Sequence, residues 1–130
     1  MARILVIDDD TIVLKVVAET LRTRDYEVVT AHGGKDGIEK FQDDTFDLVL
    51  TDVMMPDIDG MEVLNHVVTS SPGTRCIILT GYGSIKGSVE AIKNGAFDYI
   101  TKPIAPEELL LVVEKALKFM DLEAENIRLK

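Results

Sequence analysis

Four places in this 130-residue chain carry chemistry that their neighbours do not explain: the run Asp8-Asp9-Asp10, the isolated Asp52, Thr80 ahead of Gly81, and Lys102 ahead of Pro103. Taken alone, the aspartate run has an ordinary use, because carboxylates cap helices and favour their positive N-termini. Asp10 suits that use. If Asp8, Asp9 and Asp52 end neighbouring strands, they lie about 5 Å apart and share one pocket. Carboxylates so close repel, and a proton or a cation must be held among them. A hard divalent cation with oxygen ligands answers the need. Mg2+ suits one or two carboxylates, a carbonyl and retained waters, one of which an incoming phosphate can replace. Lys102 supplies a further positive charge, and Lys102-Pro103 is a candidate cis bond, X-Pro being the only pair with appreciable cis content. Thr80 offers a hydroxyl to a phosphoryl oxygen, although a strand-end threonine needs no such role.

What must position these residues is legible in the apolar pattern. Short runs rich in β-branched residues recur at Ile4 to Ile7, Glu27 to Ala31, Leu48 to Leu50, Cys76 to Leu79 and Phe97 to Ile100, each too short for a helix. Helical spacing fills the gaps: Val13, Leu14, Val17, Ala18 and Leu21, then Ile38 and Phe41, then Leu64, Val67 and Val68, then Ile85, Val89 and Ile92. Asp10 or Thr11 caps the first helix, Pro72-Gly73 stops the third, Asn94-Gly95 ends the fourth, and Pro106 opens the last. Strict alternation of strand and helix predicts an α/β fold, a (βα)5 unit with a parallel sheet and right-handed crossovers. The flavodoxin-like order 2-1-3-4-5 is the expected one. Ligands in such sheets bind beyond the carboxyl ends of the strands, where the reactive residues fall.

The last helix outruns a small sheet. Leu110, Val113, Leu117, Met120, Ala124 and Ile127 keep a spacing of three and four, with Lys118, Asp121, Glu123, Glu125 and Arg128 between them. This stretch reads as a coiled-coil seam, a linker helix or a solvated tail. The expected organisation is one domain over 1–118 and a helical extension over 119–130 toward an output domain, with a homodimer through that helix as a further expectation. A net charge of -9, from 23 acidic and 14 basic residues, would be repelled by a phosphodiester backbone and argues against direct nucleic-acid binding. The single Cys76 sits in an apolar run and reads as a core residue. The apolar run before Asp8 is too short for a signal core or a membrane span, so a cytoplasmic protein is expected.

The motifs, in order, are Ile4-Leu5-Val6-Ile7-Asp8-Asp9-Asp10, Leu48-Val49-Leu50-Thr51-Asp52-Val53-Met54-Met55-Pro56-Asp57-Ile58-Asp59-Gly60, Ile78-Leu79-Thr80-Gly81, and Gly95-Ala96-Phe97-Asp98-Tyr99-Ile100-Thr101-Lys102-Pro103. Together they resemble the receiver domains of bacterial two-component response regulators over residues 2 to 118. The resemblance implies a phosphorylation switch rather than an enzyme acting on outside substrates. Asp52 would accept a phosphoryl group from the phosphohistidine of a sensor kinase or phosphotransfer protein. Asp9, Asp52 and the Met54 carbonyl would ligate Mg2+, and Asp8 would hold it through water. Lys102 would pair with the phosphoryl group, and Thr80 and Tyr99 would form the switch, a new dianion drawing Thr80 inward and freeing space for the aromatic ring. Tyr99 as an ordinary half-buried strand residue is the plainer reading. Met54 and Tyr82 flank the phosphoryl path without a group to hold a hydrolytic water, so self-dephosphorylation is expected to be slow. Pro56 and Gly60 shape a turn, and His32 and His66 have no ligand partner at metal spacing.

Three other readings compete with a receiver switch. A haloacid dehalogenase-like phosphatase would use Asp8 as nucleophile with Asp10, Thr80 and Lys102, but lacks an acidic pair after Lys102 and leaves Asp52 idle. A flavodoxin needs hydroxyls and glycines where three aspartates stand. A receiver used only as an interaction module would have no use for the full set of reactive positions.

Overall fold

The computed structural model describes residues 2–81 and 85–129, with side chains described outside 85–88 and 119–129. The chain alternates β1 (Arg3–Asp8), α1 (Thr11–Arg22), β2 (Glu27–His32), α2 (Gly34–Asp43), β3 (Leu48–Asp52), α3 (Gly60–Ser70), β4 (Arg75–Thr80), α4 (Ile85–Lys93), β5 (Asp98–Thr101) and α5 (Pro106–Leu129). The strands pair in parallel in the order β2-β1-β3-β4-β5, as the alternation predicts.

The period of two in each strand divides the core into two layers. Ile4, Val6, Leu48, Leu50, Ile77 and Leu79 face α1 and α5, meeting Leu14, Val17, Leu21, Leu109 and Val113. Leu5, Ile7, Val49, Cys76 and Ile78 face the other way, onto Phe41 of α2, Val63, Leu64 and Val67 of α3, and Ala91 of α4. Burial pushes the Cys76 thiol up to about 12, which leaves it an inert core side chain. The open edge at β2 is blocked by side chains: Lys40 Nζ donates to Thr30 O and Arg22 to Val28 O, occupying carbonyls a foreign strand would seek.

Every strand differs from its apolar run at one end or both: β1 takes in Arg3 and Asp8, β2 His32, β3 Thr51 and Asp52, and β4 Arg75 and Thr80, while β5 begins at Asp98 rather than Phe97 and runs to Thr101. Pairing decides this, because ladder bonds carry a strand beyond its apolar run: Asp52 is in register with Leu79 and Thr80 with Thr101. Val89 and Ile92 are exposed, and Ala91 is the residue buried against the sheet. Helical spacing says which residues share a face but not which way it turns, and a small alanine lets the backbone lie close. At the last helix, Leu109, Val112 and Ala116 join Val113 in the core while Leu110 and Leu117 are only partly covered. α5 runs unbroken to Leu129.

Candidate functional site

The reactive residues are the last residues of their strands or the first beyond them. Asp8 closes β1, Asp52 closes β3 and Thr80 closes β4, while Asp9 follows β1 and Lys102 follows β5. Parallel pairing with short crossovers brings all these ends to one rim. Backbone bonds lock the rim together, with Val53 N–H donating to Leu79 O at 3.2 Å and Lys102 N–H to Thr80 O at 2.7 Å. The Lys102-Pro103 bond is cis.

One carboxylate oxygen from each of Asp8, Asp9 and Asp52 falls within 4.8 Å of the others. Asp8 is fully buried and Asp52 nearly so, while Asp9 is open to solvent. Asp8 Oδ1 accepts from Asp10 N–H at 3.0 Å, which fixes the carboxylate plane. Lys102 Nζ lies 3.0 Å from Asp8 Oδ2 and 3.4 Å from Asp52 Oδ1. Among the described residues one ammonium thus pairs with two of the three carboxylates, and the rim keeps a negative excess.

That excess shows in the titration of the central acid. Burial first, and then the charge of Asp8, raise the Asp52 pKa above the usual aspartate value. Lys102 and the Met54 N–H that bonds the carboxylate oppose this without cancelling it. Burial pulls the Lys102 ammonium down, but its hydrogen bond to Asp8 and the charges of Asp8 and Asp52 together carry it above the ordinary lysine value. Lys102 is therefore a fixed cation across physiological pH. Asp8 Oδ2 is paired with the Lys102 ammonium, while among the described residues the buried Thr80 Oγ1 has no hydrogen-bond partner. A buried polar atom without a partner is rare, and this one belongs to the residue that closes β4 at the rim. The donor set, all hard oxygens with excess negative charge, fits a divalent cation such as Mg2+ better than a soft metal.

Asp10 does what a cap does, its Oδ1 accepting from Ile12 N–H at 2.9 Å and Val13 N–H at 3.4 Å, and takes no part in the cluster. The helix-cap and cation readings of the aspartate run therefore divide between neighbours. Gly60 proves tighter than turn chemistry requires. A Cβ there would collide with the Asp52 carbonyl oxygen and stand 2.6 Å from Val53 Cα.

The family profile described as the response regulator receiver domain matches residues 4–114. This chain belongs to the response regulator receiver family. Transcriptional regulatory protein ZraR of Klebsiella oxytoca is 40% identical over 114 residues, covering 88% of this chain and 26% of that protein. Regulatory protein AtoC of Escherichia coli K12 is 33% identical over 123 residues, covering 95% of this chain and 27% of that protein. The chain thus spans about a quarter of the length of these curated relatives. A receiver domain structure from Clostridium thermocellum superposes with a TM-score of 0.88 at 34% identity, covering 94% of this chain and 98% of that one. NtrX from Brucella abortus, in complex with ADP, superposes with a TM-score of 0.94 at 31% identity, covering 99% of this chain and 30% of that one.

In this receiver domain the remaining positions fall as follows. Tyr99 lies on β5 and is 41% exposed, so its ring is not packed inward. Met54 is 82% exposed at the mouth of the rim, and the other flanking position, Tyr82, lies outside the described residues. His32 follows the β1 register opposite Asp8, and His66 packs edge-on to Phe41, neither in the acidic cluster. A residue the sequence reading passed over is Asp57. Its carboxylate accepts from the backbone N–H groups of Gly34 and Lys35, more than twenty positions away in sequence. Only its place in a turn-rich loop hinted at a structural task. Among the described residues no helix is long and apolar enough to cross a membrane.

Proposed function

We propose that this receiver domain is a phosphorylation switch in which Asp52 takes a phosphoryl group from the phosphohistidine of a sensor kinase or phosphotransfer protein. The observation that carries the reading is the convergence of Asp8, Asp9, Asp52 and Lys102 on one rim, with a buried Thr80 hydroxyl that has no hydrogen-bond partner among the described residues. Asp9, Asp52 and the Met54 carbonyl would hold Mg2+, with Asp8 binding through water. When bound, Mg2+ offsets the negative charge of the site and of the phosphoryl oxygens.

The chain's own groups supply the rest. The Asp52 carboxylate attacks phosphorus in line, an O–P bond forms, and the N–P bond of the donor breaks with its electron pair left on the imidazole. Lys102, held between Asp8 and Asp52, is placed to pair with the equatorial oxygens. The Thr80 hydroxyl gains in the phosphoryl group the acceptor it otherwise lacks. Its inward pull makes room for Tyr99, whose exposed ring is free to turn. Val89 and Ile92 on α4 and Leu111 on α5 are exposed as well, which supports this side as the one that reads the switch. The domain promotes its own phosphorylation and acts on no separate substrate.

The continuous α5 supports a receiver over 1–118 with a helical extension over 119–130 leading to an output domain, and a homodimer through that helix. A cytoplasmic setting fits the family and the reduced Cys76. The exposed Met54 offers no carboxylate or amide to orient a water, so the phosphoryl group is expected to persist for minutes or longer. Loss of label from the purified phosphoprotein within seconds would rule this out. The test of the main reading is transfer from a radiolabelled phosphohistidine protein in Mg2+. Label should move to the parent chain and not to Asp52→Asn, and release as free phosphate without a labelled chain would favour a hydrolase.

A further inference from the structure

Of the ligands proposed for the cation, the carboxylates of Asp9 and Asp52 stand at or just beyond strand ends, but the Met54 carbonyl belongs to the irregular segment between β3 and α3. Its direction is only as good as what holds that segment. The two ends are held: Val53 N–H donates to Leu79 O at 3.2 Å, Gly60 N–H to Val53 O at 2.9 Å, and Asp59 caps α3 through Met61 N–H at 2.9 Å.

The middle of the segment is held by one side chain. Asp57 Oδ1 accepts from Gly34 N–H at 3.1 Å and Ile58 N–H at 2.8 Å, and Oδ2 accepts from Lys35 N–H at 3.0 Å. Gly34 and Lys35 open α2, whose own N-cap, Gly33, has no side chain to give. The cap is therefore lent from a distant loop. The fit is close: Gly33 has φ of +109°, and a Cβ there would stand 3.0 Å from Asp57 Oδ2, while one on Gly34 would stand 2.7 Å from Ile58 Cβ. The Lys35 N–H foremost, with those of Ile58 and Gly34, holds the Asp57 carboxyl below the usual range, so the tie is charged at neutral pH.

We infer that Asp57 is a positioning residue for the cation: by fastening the β3–α3 segment to the N-terminus of α2, it fixes the Met54 carbonyl toward the site. The inference rests on the phosphoacceptor reading above. It also explains why an exposed acid outside the cluster matters to it, since α2 otherwise contributes nothing to the rim. Groups that orient a metal ligand typically alter affinity without themselves touching the ion.

The test uses the full chain and Mg2+ alone, followed by titration calorimetry, with backbone amide exchange measured before Mg2+ is added. In Asp57→Ala the Gly34 and Lys35 amides should exchange faster, and Mg2+ should bind roughly tenfold more weakly. Asp57→Asn, which keeps an acceptor oxygen, should fall between, and it carries the test if circular dichroism finds the alanine variant unfolded. Phosphoryl uptake by Asp57→Ala should recover at saturating Mg2+. Asp44→Ala, removing an exposed acid from the opposite end of the sheet, should leave Mg2+ affinity unchanged. Equal Mg2+ affinity in the parent and the Asp57 variants would overturn this inference alone. Absence of Mg2+ binding by the parent would overturn the phosphoacceptor reading and this inference with it.

Discussion

The two ends of the sheet treat charge in opposite ways. At the amino ends of the strands Arg3 pairs with Asp44 and Glu27, lies over the Phe46 ring, and gives its backbone N–H to Asp47 at 2.8 Å. Asp44, Glu27 and Asp47 each have a cation or a donor there, and Asp44 is held below the usual range by its hydrogen bond from Arg3. At the carboxyl ends, among the described residues, one ammonium pairs with two of three clustered carboxylates, Asp52 is pushed up, and Thr80 Oγ1 is left without a hydrogen-bond partner. The first end is arranged for folding alone. The second is left incomplete, and what would complete it is a cation and a dianion.

If that contrast is real, Mg2+ should stabilise the protein through one end only. At about a hundredfold excess over its dissociation constant the gain should be about 2.7 kcal/mol, read as a rise in urea midpoint. Asp9→Asn should lose most of this gain, and Arg3→Ala should keep it. A gain that survives Asp9→Asn would place the ion elsewhere.

Removing the rim cation Lys102 should hurt more than removing its counterpart Arg3. Lys102→Ala strands the buried Asp8 and should destabilise the Mg2+-free protein by on the order of 2 kcal/mol, less than a fully buried pair because the ammonium reaches water. Arg3 is half-buried and Asp44 exposed, so both reach water, and Arg3→Ala should give only a small loss that shrinks with added salt. Equal losses from the two lysine and arginine variants would erase the comparison.

The subtlest difference is the sign of the pH dependence. Folded Asp52 holds its proton more tightly than in the unfolded chain, so its contribution to stability falls as pH rises from about 4, the ordinary aspartate value, through its raised folded value. Folded Asp44 holds its proton less tightly, so its contribution is present above that ordinary value and is lost as pH falls through the lowered one. Without Mg2+, Asp52→Asn should be more stable than the parent at pH 7, and that advantage should vanish below about pH 4. An advantage that grows on acidification would reverse the assignment.

The site rim could be foreseen because its residues stand directly after apolar runs, where a parallel sheet must gather them. Asp8, Asp52, Thr80 and Lys102 needed only the strand order to meet, and the order followed from the alternation of elements. The tie from Asp57 to Gly34 and Lys35 could not be read, since it joins two loops whose approach depends on how α2 and α3 pack. The turn of α4 could not be read for a related reason: Val89 and Ile92 follow helical spacing, but the small Ala91 makes the contact. Likewise, nothing in the spacing of Arg3, Glu27 and Asp44 announced that three strand and loop starts would converge on one guanidinium.

The claim beneath all of this is that Asp52 is the nucleophile of the rim. Intact-mass spectrometry after incubation with Mg2+ and a small acyl phosphate tests it most directly. The account predicts one added phosphoryl group on the parent chain, dependent on Mg2+, and none on Asp52→Asn. An adduct that persists in Asp52→Asn, or steady release of phosphate with no adduct in the parent, would contradict it.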